Sequence, residues 1–295
     1  MKISITGATG FVGSNLKKLF KSKYEIEDIH VRYIPDQKIK IDSDAIIHLA
    51  GKAHDLKKSD EKEYLESNYE LTKQLFDEFL INDSEVFIFM STVKAVGDEF
   101  DNLLTEEKEP HPETNYGKSK LLAENYILSH DLQKNKRVYI LRPTIIYGPG
   151  NKGNLNLLFK LVSKGLPWPL GSFENQRSYC SIDNLCFVIK QILENKEIPS
   201  GIYNVCDDKT LSTNQLIEII STTLDKKARV LKISKKLIYA FAKLGDFFKL
   251  PLNTETLKKL TNNFIVSNYK IKKSLGLECL PISTKEGMKK TFKTF

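Results

Sequence analysis

Residues 2–20 read KISITGATGFVGSNLKKLF, and their reading decides the fold. A short apolar run, Lys2–Thr6, is followed by a glycine-rich turn and then by helical spacing from Gly13 to Lys21. Gly7, Gly10 and Gly13 stand in the T-G-x-x-G-x-x-G spacing. Glycine lets a backbone turn sharply and approach a pyrophosphate closely. A helix beginning there presents free N–H groups and the positive end of its dipole. Strand, turn and helix in that order are the context that such a motif requires, so a mere tight turn is the weaker reading. The turn residues Gly7, Gly10, Phe11, Val12 and Gly13 are therefore expected at a dinucleotide.

Outward from this stretch, short apolar runs alternate with helical patterns. Strands are expected at Ile26–Arg32, Ala45–Leu49, Val86–Met90 and Val138–Arg142. Helices are expected near Tyr64–Asn82 and Asn115–His130. The alternation predicts an α/β fold, a Rossmann-type doubly wound parallel sheet with helices on both faces. Tyr33–Asp44 is too short and polar for a full crossover helix, so a loop is expected there. After Pro143 the loop GPGNKGN and the prolines of LPWPLG change the punctuation. The chain is expected to divide into a dinucleotide-binding part, 1–150, and a smaller mixed substrate part, 151–295. Helices are expected at Ile182–Leu193 and Thr213–Leu224, and a strand near 202–205 is expected to rejoin the main sheet. Lys235–Leu250 has apolar residues at helical spacing and reads as a packed helix in preference to a membrane-surface one.

Composition narrows the class. In 295 residues, 41% are hydrophobic and 28% charged, ordinary for a globular protein. The four cysteines form no C-x-x-C pair, so neither a disulfide framework nor a metal site is expected. The chain opens on an apolar strand and no run approaches a membrane span, so a cytoplasmic protein without a signal peptide is expected. The net charge of +8 reads as a lysine-rich surface, and nucleic-acid binding is not expected. Only five basic residues are arginines, so each guanidinium merits inspection.

The second strand of such folds normally ends in an acid that holds the ribose of NAD. Here the region reads EDIHVRY, with His30 near that place and Arg32 just after it. An arginine suits the extra phosphate of NADP, while Asp28 or Asp36 would serve NAD. The cofactor is expected to be NADP(H) or NAD(H), with the arginine favouring the former.

The strand VFIFM runs into Ser91 and Thr92, and Tyr116 with Lys120 opens a later helical pattern. Four Tyr-x-x-x-Lys pairs occur in the chain, so the spacing alone decides nothing. Tyr116 is distinguished by following a strand that ends in hydroxyls and preceding one that ends in Arg142-Pro143. Hydride transfer to a ketone leaves charge on oxygen, and a nearby acid must supply a proton. A free tyrosine, with a pKa of about 10, is a poor acid at neutral pH. A neighbouring ammonium favours the phenolate, and a hydroxyl orients it. Taken alone, Thr92 would read as a residue capping a turn.

The chain resembles the extended short-chain dehydrogenases, the NAD-dependent epimerase/dehydratase family. The resemblance rests on TGATGFVG, HLAG (His48–Gly51), Asn68, STVKAVG, YGKSK, LRPTIIYGPG and NQRSYCSIDNL. It implies Thr92, Tyr116 and Lys120 as the catalytic set, with Thr92 and Tyr116 also at the substrate. It implies His48, Leu49, Ala50, Lys120 and Pro143 at the cofactor, Arg177 on the substrate diphosphate, and Asn154 as a nucleotide contact. A surface ion pair is the alternative for Arg177, a plain turn residue for Asn154. Dehydratases of the family carry an Asp-Glu pair after the threonine. Val93 and Lys94 stand there, so dehydration is rejected. The resemblance points to a UDP-sugar substrate in polysaccharide biosynthesis and to dimerisation through the helices near Tyr64–Asn82 and Asn115–His130. The first expectation is 4-ketoreduction of a UDP-linked 4-keto-6-deoxy-N-acetylhexosamine. The alternatives are a UDP-glucose or UDP-N-acetylglucosamine 4-epimerase with tightly bound NAD, and a noncatalytic dinucleotide-sensing scaffold.

Overall fold

The computed structural model describes residues 1–52, 60–100, 102–151, 153–250 and 253–295. Six parallel strands form the main sheet: β1 (Lys2–Thr6), β2 (Glu25–Ile29), β3 (Ala45–His48), β4 (Val86–Met90), β5 (Arg137–Pro143) and, after a separate pair, β8 (Gly201–Val205). Their order is β2-β1-β3-β4-β5-β8. The chain runs from β1 outward to β2 and returns past it to β3. That reversal opens a crevice beyond the carboxyl ends of β1 and β3, where such sheets bind ligands. β4 is buried at all five positions, as the VFIFM run requires of an inner parallel strand.

Helices cover both faces. α1 (Phe11–Phe20) packs on one face, on the cluster of Ile3, Ile5, Leu16 and Phe20. The other face is covered beyond α2 (Glu61–Tyr64), which leads through a π-helical turn (Leu65–Glu70) into α3 (Leu71–Ile81). α3 and α4 (Asn115–Leu128) bury Leu75, Phe76, Phe79, Ala123 and Ile127 there. No helix occupies Tyr33–Asp44, and Ile39 and Ile41 are buried in its place. β2 stops at Ile29 and does not reach Arg32, because β1 pairs with it only as far as Thr6 before turning at Gly7.

A short parallel pair, β6 (Ile145–Tyr147) with β7 (Tyr179–Ser181), brackets α5 (Asn154–Ser163). α6 (Ile182–Glu194) returns to the main sheet and buries Leu185, Val188, Ile189 and Ile192 in the cluster that α1 joins. Residues beyond 150 therefore build both the sheet core and a second cluster. The latter gathers Trp168, Leu170, Leu216 and Ile220 with α7 (Thr213–Thr223). α8 (Lys235–Phe248), α9 (Thr254–Thr261), α10 (Tyr269–Leu275) and α11 (Thr284–Phe292) complete the chain. α8 is only partly packed, burying Ile238, Ala242 and Gly245.

Candidate active site

The glycine turn meets the end of β3 at backbone distance. Gly7 has φ +67°, and a Cβ there would lie 2.8 Å from the Ala50 nitrogen. A Cβ on Gly13 would lie 2.5 Å from the Gly7 carbonyl oxygen, so α1 closes onto the turn only without a side chain. Gly10 caps α1, with no side-chain acceptor on the first-turn N–H groups. An uncapped helix start against a closely approached turn fits a pyrophosphate. Phe11, Val12 and Leu49 are half-buried, packed against the sheet core.

His48, expected at the cofactor, has its ring in an internal relay. It is fully buried, and both ring nitrogens are used. Thr6 Oγ1 accepts from the Leu49 and Ala50 nitrogens at 3.2 and 3.1 Å, leaving its proton for His48 Nδ1 at 2.7 Å. His48 Nε2 then donates to Thr72 Oγ1 at 2.9 Å, whose hydroxyl donates to the Asn68 carbonyl at 2.7 Å. This chain requires a neutral ring. Burial, then the Lys120 charge, lowers the His48 pKa to about 3. The relay ties β1, β3 and the helix of Asn68 together.

Asn68 was legible only by resemblance, and the π-helical turn is where it sits. Such a turn inserts an extra residue and re-aims its neighbours. Asn68 is fully buried, accepting from the Lys52 nitrogen at 2.8 Å and donating to Ser119 Oγ at 3.0 Å. A Cβ on Gly51 would fall 2.6 Å from Asn68 Oδ1 and 3.3 Å from Lys120 Nζ. The end of β3 thus comes down on the ammonium of α4.

Thr92 meets Tyr116, with Lys120 one turn along the same helix. Thr92 ends β4 and caps a single 3-10 turn, its Oγ1 accepting from the Lys94 nitrogen at 3.2 Å. The capping reading is thus correct, and the same side chain is hydrogen-bonded to Tyr116. The close approach has a backbone cause. A Cβ on Gly117 would lie 2.4 Å from the Lys94 carbonyl oxygen, so glycine lets α4 start against the Thr92 loop. Thr114 caps that start through its Oγ1, 3.2 Å from the Gly117 nitrogen. Burial raises the Tyr116 pKa to about 12, with the Thr92 hydrogen bond working in the opposite sense. The Tyr64 ring lies 6.2 Å from that of Tyr116.

Lys120, one turn along α4, is 5% exposed. Its Nζ donates to the Met90 carbonyl at 2.9 Å and lies 4.7 Å from the Phe89 ring centre. Burial depresses its pKa to about 8, and Glu124 acts against that depression. Glu124, a further turn along, is a residue that sequence reasoning missed. It is fully buried, accepts from the Ser91 hydroxyl, and pairs with Arg142 Nη2 at 2.5 Å and Nε at 3.0 Å. Its signal was the second i+4 step from Tyr116, after Lys120, facing a scarce arginine on the next strand.

The remaining expected residues lie around this group. Val93 is buried and Lys94 pairs with Asp98 at 2.6 Å, so no carboxylate stands directly after Thr92. Pro143 ends β5, opposite Val205. Arg32 is exposed just beyond β2, and Asp28 is held by Lys17 of α1. Asp36 sits in a turn at φ +58°. Arg177 belongs to another neighbourhood. Its backbone bridges Leu211 and Phe264, and its Nε and Nη2 donate to the Asn262 and Lys259 carbonyls at the end of α9. Asn154 is the first residue of α5, and its side chain lies outside the described residues. Among the described residues, no group of acids, histidines or cysteines could hold a metal ion. No described helix is long and apolar enough to cross a membrane.

Comparison with known proteins matches residues 3–206 to the model of the NAD dependent epimerase/dehydratase family. A UDP-glucose 4-epimerase of Vibrio cholerae is 31% identical over 99% of this chain and 95% of its own. The N-acetyl-alpha-D-glucosaminyl-diphospho-ditrans,octacis-undecaprenol 4-epimerase of Escherichia coli O157:H7 is 28% identical over 92% and 84%. Among solved structures, UDP-N-acetylglucosamine 4-epimerase from Bacillus cereus superposes with a TM-score of 0.76 at 20% identity, covering 99% and 98% of the two chains. At that identity it speaks for the fold.

Proposed function

The chain belongs to the NAD dependent epimerase/dehydratase family, and from that premise we propose hydride exchange at C4 of a diphosphate-linked sugar. The first reading is NADPH-dependent reduction of a UDP-linked 4-keto-6-deoxy-N-acetylhexosamine. One observation carries the C4 chemistry: Thr92 and Tyr116 are hydrogen-bonded at the carboxyl edge of the sheet, with the buried Lys120 one turn along α4. A nicotinamide dinucleotide, when bound, would supply or accept the hydride.

The residues of this chain would manage the accompanying proton. With its pKa raised, Tyr116 rests protonated at neutral pH, as an acid must. It gives its proton to O4 as charge develops there. Lys120 stabilises the phenolate left behind, and Thr92 keeps its hydrogen bond to the same oxygen. Gly7, Gly10 and Gly13 with the start of α1 fit the pyrophosphate, and Arg32 fits a 2′-phosphate. Residues 1–150 would serve the cofactor and 151–295 the sugar diphosphate, with Arg177 and Asn154 on the latter. Ile81, Leu122 and Leu128 are exposed on α3 and α4 and suit a homodimer contact.

The second reading is 4-epimerisation, favoured by both full-length relatives described above, which carry 4-epimerase names. Tyr116, as the phenolate, would then first take the O4 proton while hydride leaves C4, and would give the proton back to O4 once the sugar has turned and hydride has returned to the opposite face of C4. The diphosphate is common to both names, although the second relative's sugar is carried on undecaprenol. A noncatalytic sensor has no use for Thr92, Tyr116 and Lys120 together. Purification and identification of any retained dinucleotide, followed by assay, tests these readings. Stoichiometric NADPH consumption with a UDP-4-keto sugar supports the reductase. Retained NAD and turnover of a UDP-hexose without net cofactor change contradict it in favour of the epimerase.

A further inference from the structure

Helix α8 has more apolar surface than the protein covers. Ile238, Ala242 and Gly245, spaced i, i+4, i+7, face inward and are buried. Leu237, Phe241, Leu244 and Phe248 repeat the spacing about 100° around the helix, and they are 50, 54, 52 and 63% exposed. Phe247 beside them is 80% exposed. A helix packed only against its own protein would show polar residues on that flank. A contiguous apolar strip with a polar rim marks a surface that meets something else.

Charge says what. Between residues 226 and 250, eight lysines and arginines stand against one acid, Asp246. This stretch carries a net +7. Residues 251–295 add nine lysines against three acids, so the excess of base belongs to the whole C-terminal part, with its densest run in and just before α8. Lys236 and Lys243 lie on the polar side of α8, and Lys249 follows its end. Fourteen residues are too few to cross a bilayer, so such a helix lies in the interface plane.

We propose that α8 is a membrane-surface helix. Its Leu237–Phe241–Leu244–Phe248 strip enters the acyl boundary of an anionic bilayer, and its lysines meet the headgroups. Apolar stripe and basic flank are the two features that such binding requires together. A second copy of the chain is disfavoured as occupant, because a two-fold contact would press two +7 segments together. Nucleic acid would leave the apolar strip without a partner. The face lies one helix from Arg177. Thr254 of α9 donates to Asp246 of α8 at 3.0 and 3.1 Å, and Arg177 donates to carbonyls at the other end of α9. A bilayer at α8 would therefore sit beside the side of the molecule proposed for the sugar diphosphate.

Flotation of the full chain with vesicles tests this, without sugar or cofactor, so the outcome is independent of the reaction proposed above. Phosphatidylcholine vesicles containing phosphatidylglycerol are expected to bind about tenfold or more better than phosphatidylcholine alone. The double variant Phe241→Glu/Phe248→Glu is expected to lose about tenfold in binding to the anionic vesicles. Lys236→Glu/Lys243→Glu is expected to lose the preference for anionic lipid, and both variants should keep the native thermal midpoint. Absence of flotation at low salt, or unchanged flotation of the phenylalanine variant, would overturn the proposal. So would a wild-type dimer that the phenylalanine variant converts to monomer while vesicles leave the wild type untouched.

Discussion

Two regions of this molecule treat polar and apolar groups in opposite ways. At the ends of β3, β4 and β5, charged and polar groups are buried with partners: Glu124 with Arg142 and Ser91, Lys120 with Met90, His48 between two threonines. Along α8, apolar rings stand in solvent among uncompensated lysines. Burial makes the first region intolerant and rigid, because each group removed leaves a partner unpaired in a poor solvent. Exposure makes the second region tolerant for folding, so its composition must answer to something outside the fold.

The contrast breaks most readily at Arg142. Arg142→Met leaves Glu124 buried without its cation, and equilibrium urea unfolding should show a loss of about 3–5 kcal/mol. A loss below about 1 kcal/mol would mean that the pair is not the rigid element described. Glu124→Gln sharpens the comparison through pH. The Lys120 pKa is depressed to about 8, and the Glu124 charge opposes that depression. Turnover that needs the ammonium should fall as pH rises through about 8. With the carboxylate neutralised, the fall should begin at lower pH, as read from the alkaline limb of the kcat/KM profile. A limb unmoved by the substitution would detach Glu124 from Lys120. The smallest effect is expected on α8, where Phe247→Ser should change unfolding free energy by no more than about 0.5 kcal/mol. A loss of several times that would show that this ring packs on the protein after all.

The same contrast explains what could be read in advance. β1, its turn and α1 were legible because Gly7, Gly10 and Gly13 stand where backbones nearly touch, and glycine at such places has few substitutes. Tyr116 and Lys120 were legible by their i+4 spacing behind a strand that ends in hydroxyls. The β6–β7 pair was not, because three-residue strands carry too little periodicity. α9 and α11 were missed since they are short and polar, burying little beyond Leu257 in one and Met288 and Phe292 in the other. The capping box Ser283 to Glu286 was the available signal for α11. The HLAG motif marked the place of His48, and only coordinates reveal that both of its ring nitrogens are spent inward. The half-covered face of α8 was equally hidden, since periodicity reports an apolar arc but not how much of it the rest of the chain covers.

Single-turnover hydride transfer in Tyr116→Phe, followed by the absorbance of the reduced dinucleotide, bears most directly on the central claim. The phenol is held here as the proton carrier at C4. Transfer should slow by about a hundredfold to ten-thousandfold, with dinucleotide affinity and thermal midpoint unchanged. A variant that transfers hydride at the wild-type rate would contradict that role.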